Sequence, residues 1–163
     1  MVQNLTTDRL DFFSLSSSLF FITADASSSG GAFVGDYLGD GINQFSFDLT
    51  INPGSSVSEL FFEITNLTEG ETWQYALTLP AFGTNTSFLV PLSGAGWTQT
   101  SGDENFAFIL GQTEEISIVL GSATAGNVSG SIDNFASIPE PSTTIIAALG
   151  LLTAISRRRR QDV

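Results

Sequence analysis

The sequence predicts an all-β protein: an antiparallel β-sandwich, jelly-roll-like, with a single hydrophobic helix toward the C-terminus. Three observations predict it. From residue 42 onward apolar side chains recur at every second position, the period of a strand with one face buried and the other wet. Turn-forming clusters such as Asn52-Pro53-Gly54, Gly83-Thr84-Asn85 and Ser101-Gly102-Asp103 separate the runs. No stretch before residue 139 sustains a helical stripe, and fifteen of the sixteen glycines fall there, where they would interrupt any long helix.

Residues 1–26 form an N-terminal segment with two readings. A signal peptide needs a basic start, an apolar centre and a small-residue cleavage site. Here Asp8 offsets Arg9, and the apolar run from Phe12 to Ile22 is diluted by Ser14, Ser16, Ser17 and Ser18, although Ala24-Asp25-Ala26 mimics a cleavage site. A first strand over Leu19 to Thr23 is the preferred reading, with a late or truncated start to the chain as its corollary.

Residues 27–137 form the sandwich domain. Phe45, Phe47, Leu49 and Ile51 alternate with Gln44, Ser46, Asp48 and Thr50. Strands are likewise predicted at Leu60, Phe62 and Ile64, at Trp73, Tyr75, Leu77 and Leu79, and at Phe88, Val90 and Leu92. The same pattern at Phe106, Phe108 and Leu110, and at Ile116, Ile118 and Leu120, predicts two more. Phe61, Phe82 and Trp97 fall outside the alternation. Phe61 and Trp97 are candidate glycan-stacking rings, since a flat apolar face complements the C–H face of a pyranose; edge or corner packing is the ordinary alternative.

Composition excludes several chemistries. The 163 residues include no Cys, His or Lys, which removes thiol and imidazole catalysis, disulfides and zinc sites of the usual kind. The net charge is −12, and four of the five arginines form one run, Arg157, Arg158, Arg159 and Arg160. Residues 1–138 therefore carry fifteen acids against Arg9 alone, which would repel a phosphate backbone and rules against nucleic acid as a partner. A hydrophobic content of 42% with fourteen Phe is enough to build a core, so the chain is not of disordered type.

The remaining acids have two readings. Asp36 and Asp40, in a glycine-rich loop, and Asp133 with Asn134, near a strand that a jelly roll can return beside the first, are candidate Ca²⁺ ligands of hard-oxygen type. As turn formers and strand ends they would need no metal. Glu59 with Glu63, and Glu114 with Glu115, supply the carboxylate pairs a glycosidase needs, but on alternating strands they read as solvated acids. No phosphate loop, dinucleotide fingerprint or nucleophile elbow is present, so no enzyme is expected.

After Ile138 the pattern changes. Pro139-Glu140-Pro141 is expected to be extended, outside any sheet ladder, and accessible to a processing enzyme. An apolar helix over residues 143–156 follows, somewhat short for a bilayer crossing, and then the four arginines, which the positive-inside bias would hold on the cytoplasmic side. An amphipathic core helix is the alternative, but the run is apolar around its whole circumference.

Residues 138–163, with Pro-Glu-Pro, a hydrophobic helix and an arginine cluster in order, resemble the PEP-CTERM sorting signal of Gram-negative bacteria, the substrate of the membrane protease–transpeptidase exosortase. The resemblance implies processing near Pro139, Glu140 and Pro141, transient membrane anchorage held by Arg157 to Arg160, and delivery to the cell surface or extracellular matrix. The segment Phe33 to Ile42, the strand Phe45 to Asp48 and Ile132-Asp133-Asn134-Phe135 resemble jelly-roll domains of laminin-G-like or carbohydrate-binding type. The function expected is a non-enzymatic, exported β-sandwich with an adhesive or structural role, and exosortase, the membrane and exopolysaccharide as partners. A lectin-like carbohydrate-binding module is the alternative, and a glycoside hydrolase the third reading.

Overall fold

Alternating apolar side chains bury one face only if a second sheet covers it. The computed structural model, which describes residues 2–4 and 9–139, meets that demand with one eight-stranded antiparallel sheet curled onto itself. Its elements are β1 (Val2–Asn4), β2 (Arg9–Asp25), β3 (Ile42–Ile51), β4 (Glu59–Asn66), β5 (Glu71–Ala76), β6 (Thr86–Pro91), β7 (Trp97–Ser101), helix α1 (Phe106–Gly111) and β8 (Glu115–Pro139).

Two long strands, β2 and β8, run antiparallel to each other through both layers. In the first layer the Glu115 end of β8 pairs β4 on one side and β2 on the other, and β5 and β7 extend the sheet beyond β4. In the second, the Pro139 end of β8 pairs β3, with β6 beyond it, while the Arg9 end of β2 pairs β1. Register shifts in β2 between Ser14 and Ser17, and between Ser17 and Leu19, mark where the ribbon turns from one layer to the other. Phe12 and Phe20, on either side of that turn, stack with centroids 5.4 Å apart.

The core lies between the layers. Phe45, Phe47, Leu49 and Ile51 of β3 face Leu60, Phe62 and Ile64 of β4, all seven almost wholly buried. Phe62 stacks on Phe45 at 5.2 Å and on Phe47 at 6.1 Å, joining strands that share no hydrogen bond. Burying each such side chain contributes about 1.5–3 kcal/mol. Among polar groups, the carboxylate of Glu71 is enclosed and accepts the backbone N–H groups of Asp103 at 2.7 Å and Glu104 at 3.1 Å, and the Gln99 amide at 3.0 Å. Desolvation pushes its pKa up, but these donors together outweigh it and hold the group below the ordinary carboxylate value.

Several expectations need correction. Phe106, Phe108 and Leu110 are not on a strand. Asn105 caps a helix by accepting the Phe108 N–H at 3.1 Å, and Phe106, Ile109 and Leu110 share the inward face at i, i+3 and i+4. A six-residue apolar run fits either period, so alternation alone could not decide. The strand at Trp73 ends at Ala76, leaving Leu77 and Leu79 outside it, and Trp97 opens a strand, β7, that the alternation did not predict. Beside the short strands β4 to β7, two are long: β2 has 17 residues and β8 has 25. Pro139 does join the ladder, opposite Ile42, at a strand end with β3 as its one described neighbour, where a missing N–H is tolerated. Arg9–Asp25 is strand throughout. The helix expected over residues 143–156, with Glu140, Pro141 and Arg157 to Arg160, lies outside the described residues.

Gly130 sits where β8 passes between Phe12 of β2 and Ile51 of β3. A Cβ there would stand 2.6 Å from the Phe12 ring and collide with the Thr50 carbonyl oxygen. Backbone cannot yield as a flexible side chain can. Gly130→Ala should therefore lower stability by about 1–3 kcal/mol, read as a reduced denaturant midpoint with an unchanged slope.

Candidate functional site

A β-bulge shapes a concave site between the two layers of the sheet. Between Ser46 and Asp48 of β3 the partner on β8 moves from Ala136 to Asp133, so β8 carries an extra residue. Asn134 takes it up at φ 51, a left-handed conformation that Asn tolerates better than most side chains. Its amide donates to Asp48 Oδ2 at 2.7 Å, and its N–H donates to Asp133 Oδ1 at 2.7 Å. Hydrogen bonds from Ser87 and Asn134 hold the Asp48 carboxyl below its ordinary pKa.

The bulge changes which side chains face inward. Ile132 is buried and Phe135, three residues on, also enters the core, a spacing a regular strand forbids. Phe135 packs edge-on to Phe33 at 4.8 Å and stacks with Phe47 at 5.9 Å and Phe62 at 6.2 Å. Beside it lies a cavity of about 470 Å³. Ile22, Ala24, Phe62, Ile116 and Ile118 line it from the first layer; Leu10, Ile132 and Phe135 line it from the second. Ser28, Ser29 and Phe33, from the segment after β2, join Thr23, Ser117, Asp133 and Asn134 in completing the lining.

At one end of this region Glu115 is opposite Asp25 on β2 and Thr65 on β4. Desolvation, with the Asp25 and Glu63 carboxylates, raises its pKa against an opposing hydrogen bond from Ser117. Thr23 and Ser117 share a hydrogen bond of 2.8 Å across the same pair of strands.

The residues singled out in the sequence are distributed as follows. Asp36 Oδ1 accepts the Gly39 N–H at 2.8 Å and the Asp36 carbonyl accepts the Asp40 N–H at 3.0 Å, so this pair builds a turn. Asp133 and Asn134 build the bulge. Among the described residues no group of three or more acidic side chains is arranged to hold a metal ion, so the four proposed Ca²⁺ donors do not converge on one centre. Glu63 accepts from Gln74 at 2.7 Å, and Glu114 from the Thr68 hydroxyl at 2.6 Å and N–H at 2.9 Å.

Trp97 is not a stacking surface. It is 7% exposed, its indole N–H donates to the Pro91 carbonyl at 2.8 Å, and its ring packs on Phe62, Tyr75 and Phe106. The strand begins at Trp97 itself, so the ring follows the inward face. Phe61 is half-buried on the outer face, where it and Phe21 flank Val119 in register. Phe82 is exposed. Phe21, Phe33 and Phe135 are not among the residues that the sequence pattern singled out as candidate sites. The break in alternation between Ile132 and Phe135 was the available signal for the last.

Raised in the native state, the Glu115 pKa makes the folded protein bind a proton more tightly than the unfolded chain. Stability should then fall as pH rises from the ordinary carboxylate value through the native one. Glu115→Gln should raise the thermal midpoint at neutral pH, and the gain should vanish in acid where wild-type Glu115 is already protonated.

The fold and the motif each have known counterparts. No curated protein matches the chain in sequence. Among solved structures it is similar to PfGH50B, with a TM-score of 0.60 and 15% identity over 83% of this chain and 21% of that one. An exo-β-agarase gives a TM-score of 0.56 and 17% identity over 82% of this chain and 21% of that one. The family 11 carbohydrate-binding module of Clostridium thermocellum gives 0.46 and 16%, over 80% and 87%. The chain thus spans about a fifth of the length of the first two. Among the described residues no helix is long and apolar enough to cross a membrane. The described domain is a jelly-roll-like antiparallel β-fold, and residues 137–160 of the chain are a PEP-CTERM protein-sorting motif.

Proposed function

We propose that this protein is an exosortase substrate whose β-domain is displayed at the cell surface or in the extracellular matrix, where it has a non-catalytic, adhesive or structural role. The observation that carries the reading is the PEP-CTERM motif over residues 137–160, which marks an exported, membrane-anchored precursor. The fold is compatible with it. Pro139 is the last residue of β8, so a cut beside Glu140 or Pro141 would spare every described strand pairing. The apolar run and Arg157 to Arg160 would then leave with the discarded segment. The absence of His, Cys and Lys from the chain, and the structural engagement of Glu63, Glu71 and Glu114, support a non-catalytic domain.

Replacing Pro139, Glu140 and Pro141 together by alanine should leave a heavier precursor in the membrane fraction, read by fractionation and intact-mass analysis. A variant processed to the same mature mass, in the same fraction as wild type, would remove the reading.

A second reading, glycan contact, is favoured by the exposed Phe21 and the half-buried Phe61, which flank the buried Val119 on the outer face. They are apolar rings on a domain whose acids outnumber Arg9, which suits an uncharged polysaccharide better than an anionic one. Agarose, suggested by the name of one structural relative, is a suitable probe. Phe61→Ala should weaken retention on it about tenfold, or ~1.4 kcal/mol, with the fold intact. Equal retention of variant and wild type counts against these rings as a glycan platform.

A further inference from the structure

The cavity beside the bulge opens to solvent, so it is a pocket that a ligand can enter and not a sealed gap in the packing. At about 470 Å³ it falls in the range of about 300–1,000 Å³ that small-molecule sites occupy. Its walls are apolar, including Ile22, Ile116, Ile118 and Phe62, and Phe33 and Phe135 meet edge-to-face beside it. The site is preformed: the buried Tyr37 donates its hydroxyl to the Phe33 carbonyl, and the bulge sets Phe135.

Its electrostatics select the ligand. Asp133 is the one ionisable side chain in the lining, and the one arginine among the described residues, Arg9, pairs with Asp11 at 3.0 Å. Among the described residues no cation lines the cavity to receive a carboxylate, sulfate or phosphate, and burying an unpaired anion is costly. Of the uncharged polar groups in the lining, Thr23 and Ser117 bond each other, Ser28 and Ser29 bond the Asp25 backbone and Asn134 bonds Asp48, which leaves few partners for the polar periphery of a sugar ring.

We propose that the cavity between the two sheet layers, walled by Phe33, Phe62, Phe135 and Ile118, binds one small molecule with an apolar body and a cationic or uncharged polar end, the latter beside Asp133. This goes beyond the surface-display reading and does not rest on it.

The test uses the full chain and the uncharged fluorophore N-phenyl-1-naphthylamine, whose emission rises in apolar surroundings. It should bind wild type, and n-decylammonium or n-decanol should displace it at least about tenfold more effectively than n-decanoate. Ala24→Phe, which fills the cavity from a half-buried position, should weaken the dye about tenfold or more with a native near-ultraviolet dichroism spectrum. Ser28→Trp does the same from an exposed rim position and serves if Ala24→Phe fails to fold. Phe13→Ser combined with Phe21→Ser, on the outer face of β2, should leave the dye bound. Undiminished binding in the folded filling variants, loss of binding in the β2 double variant, or equal displacement by decanoate would each overturn the assignment. None of these outcomes bears on processing at Pro139 to Pro141.

Discussion

The antiparallel ribbon of β2 and β8 is the constraint on which the structure depends. One pair of strands belongs to both layers, so the layers are covalently continuous and their separation is set by how sharply the ribbon turns. Gly126 and Gly130 lie on β8 where the Ser56 side chain and the Thr50 carbonyl occupy the space a Cβ would need. The register shifts in β2 provide the matching irregularity. A sheet that twists in one hand cannot grow flat, and curling it about one long ribbon closes the core.

The bulge at Asn134 acts on a smaller scale by the same logic. Adding one residue to β8 reverses the parity of the strand, so Ile132 and Phe135 both enter the core. Phe135 thereby joins Phe45, Phe47 and Phe62 in a continuous aromatic group at the midline of the fold. Rings are stiff and bulky, so they do not collapse to fill every gap, and the cavity persists alongside them.

The surface is unusual in how little charge it uses. On β2, Phe13, Leu15, Leu19 and Phe21 stand outward with 44% to 65% of their area exposed. On a strand already carrying Phe12, Phe20 and Ile22 inward, this makes both faces apolar. Scattered single apolar residues need no explanation, but here two stand outward on each side of Ser17, where β2 turns between the layers. That two-sided hydrophobicity is why residues 12–22 admit a leader reading beside the preferred strand: apolar side chains leave water for either destination.

By itself the sequence determined the all-β class, the inward faces of β3, β4 and β6, and the sorting motif after Ser137. Each is a local property, written in side-chain period or in the order of neighbouring residues. The sequence also sufficed to discount thiol, imidazole and zinc chemistry, because those need residue types the chain lacks. Tertiary structure alone decided the rest. The short run Phe106 to Leu110 became helical because Asn105 capped it and Trp73 and Trp97 offered a surface for Phe106. Trp97 was drawn inward by a partner carbonyl six residues away, and the Ser- and Gly-rich stretch after Leu120 became strand because β2 and β3 supplied its hydrogen bonds. The cavity was illegible for the same reason: Phe33, Phe62 and Phe135 are far apart in the chain, and only the curl of the sheet and one extra residue at the bulge bring them together.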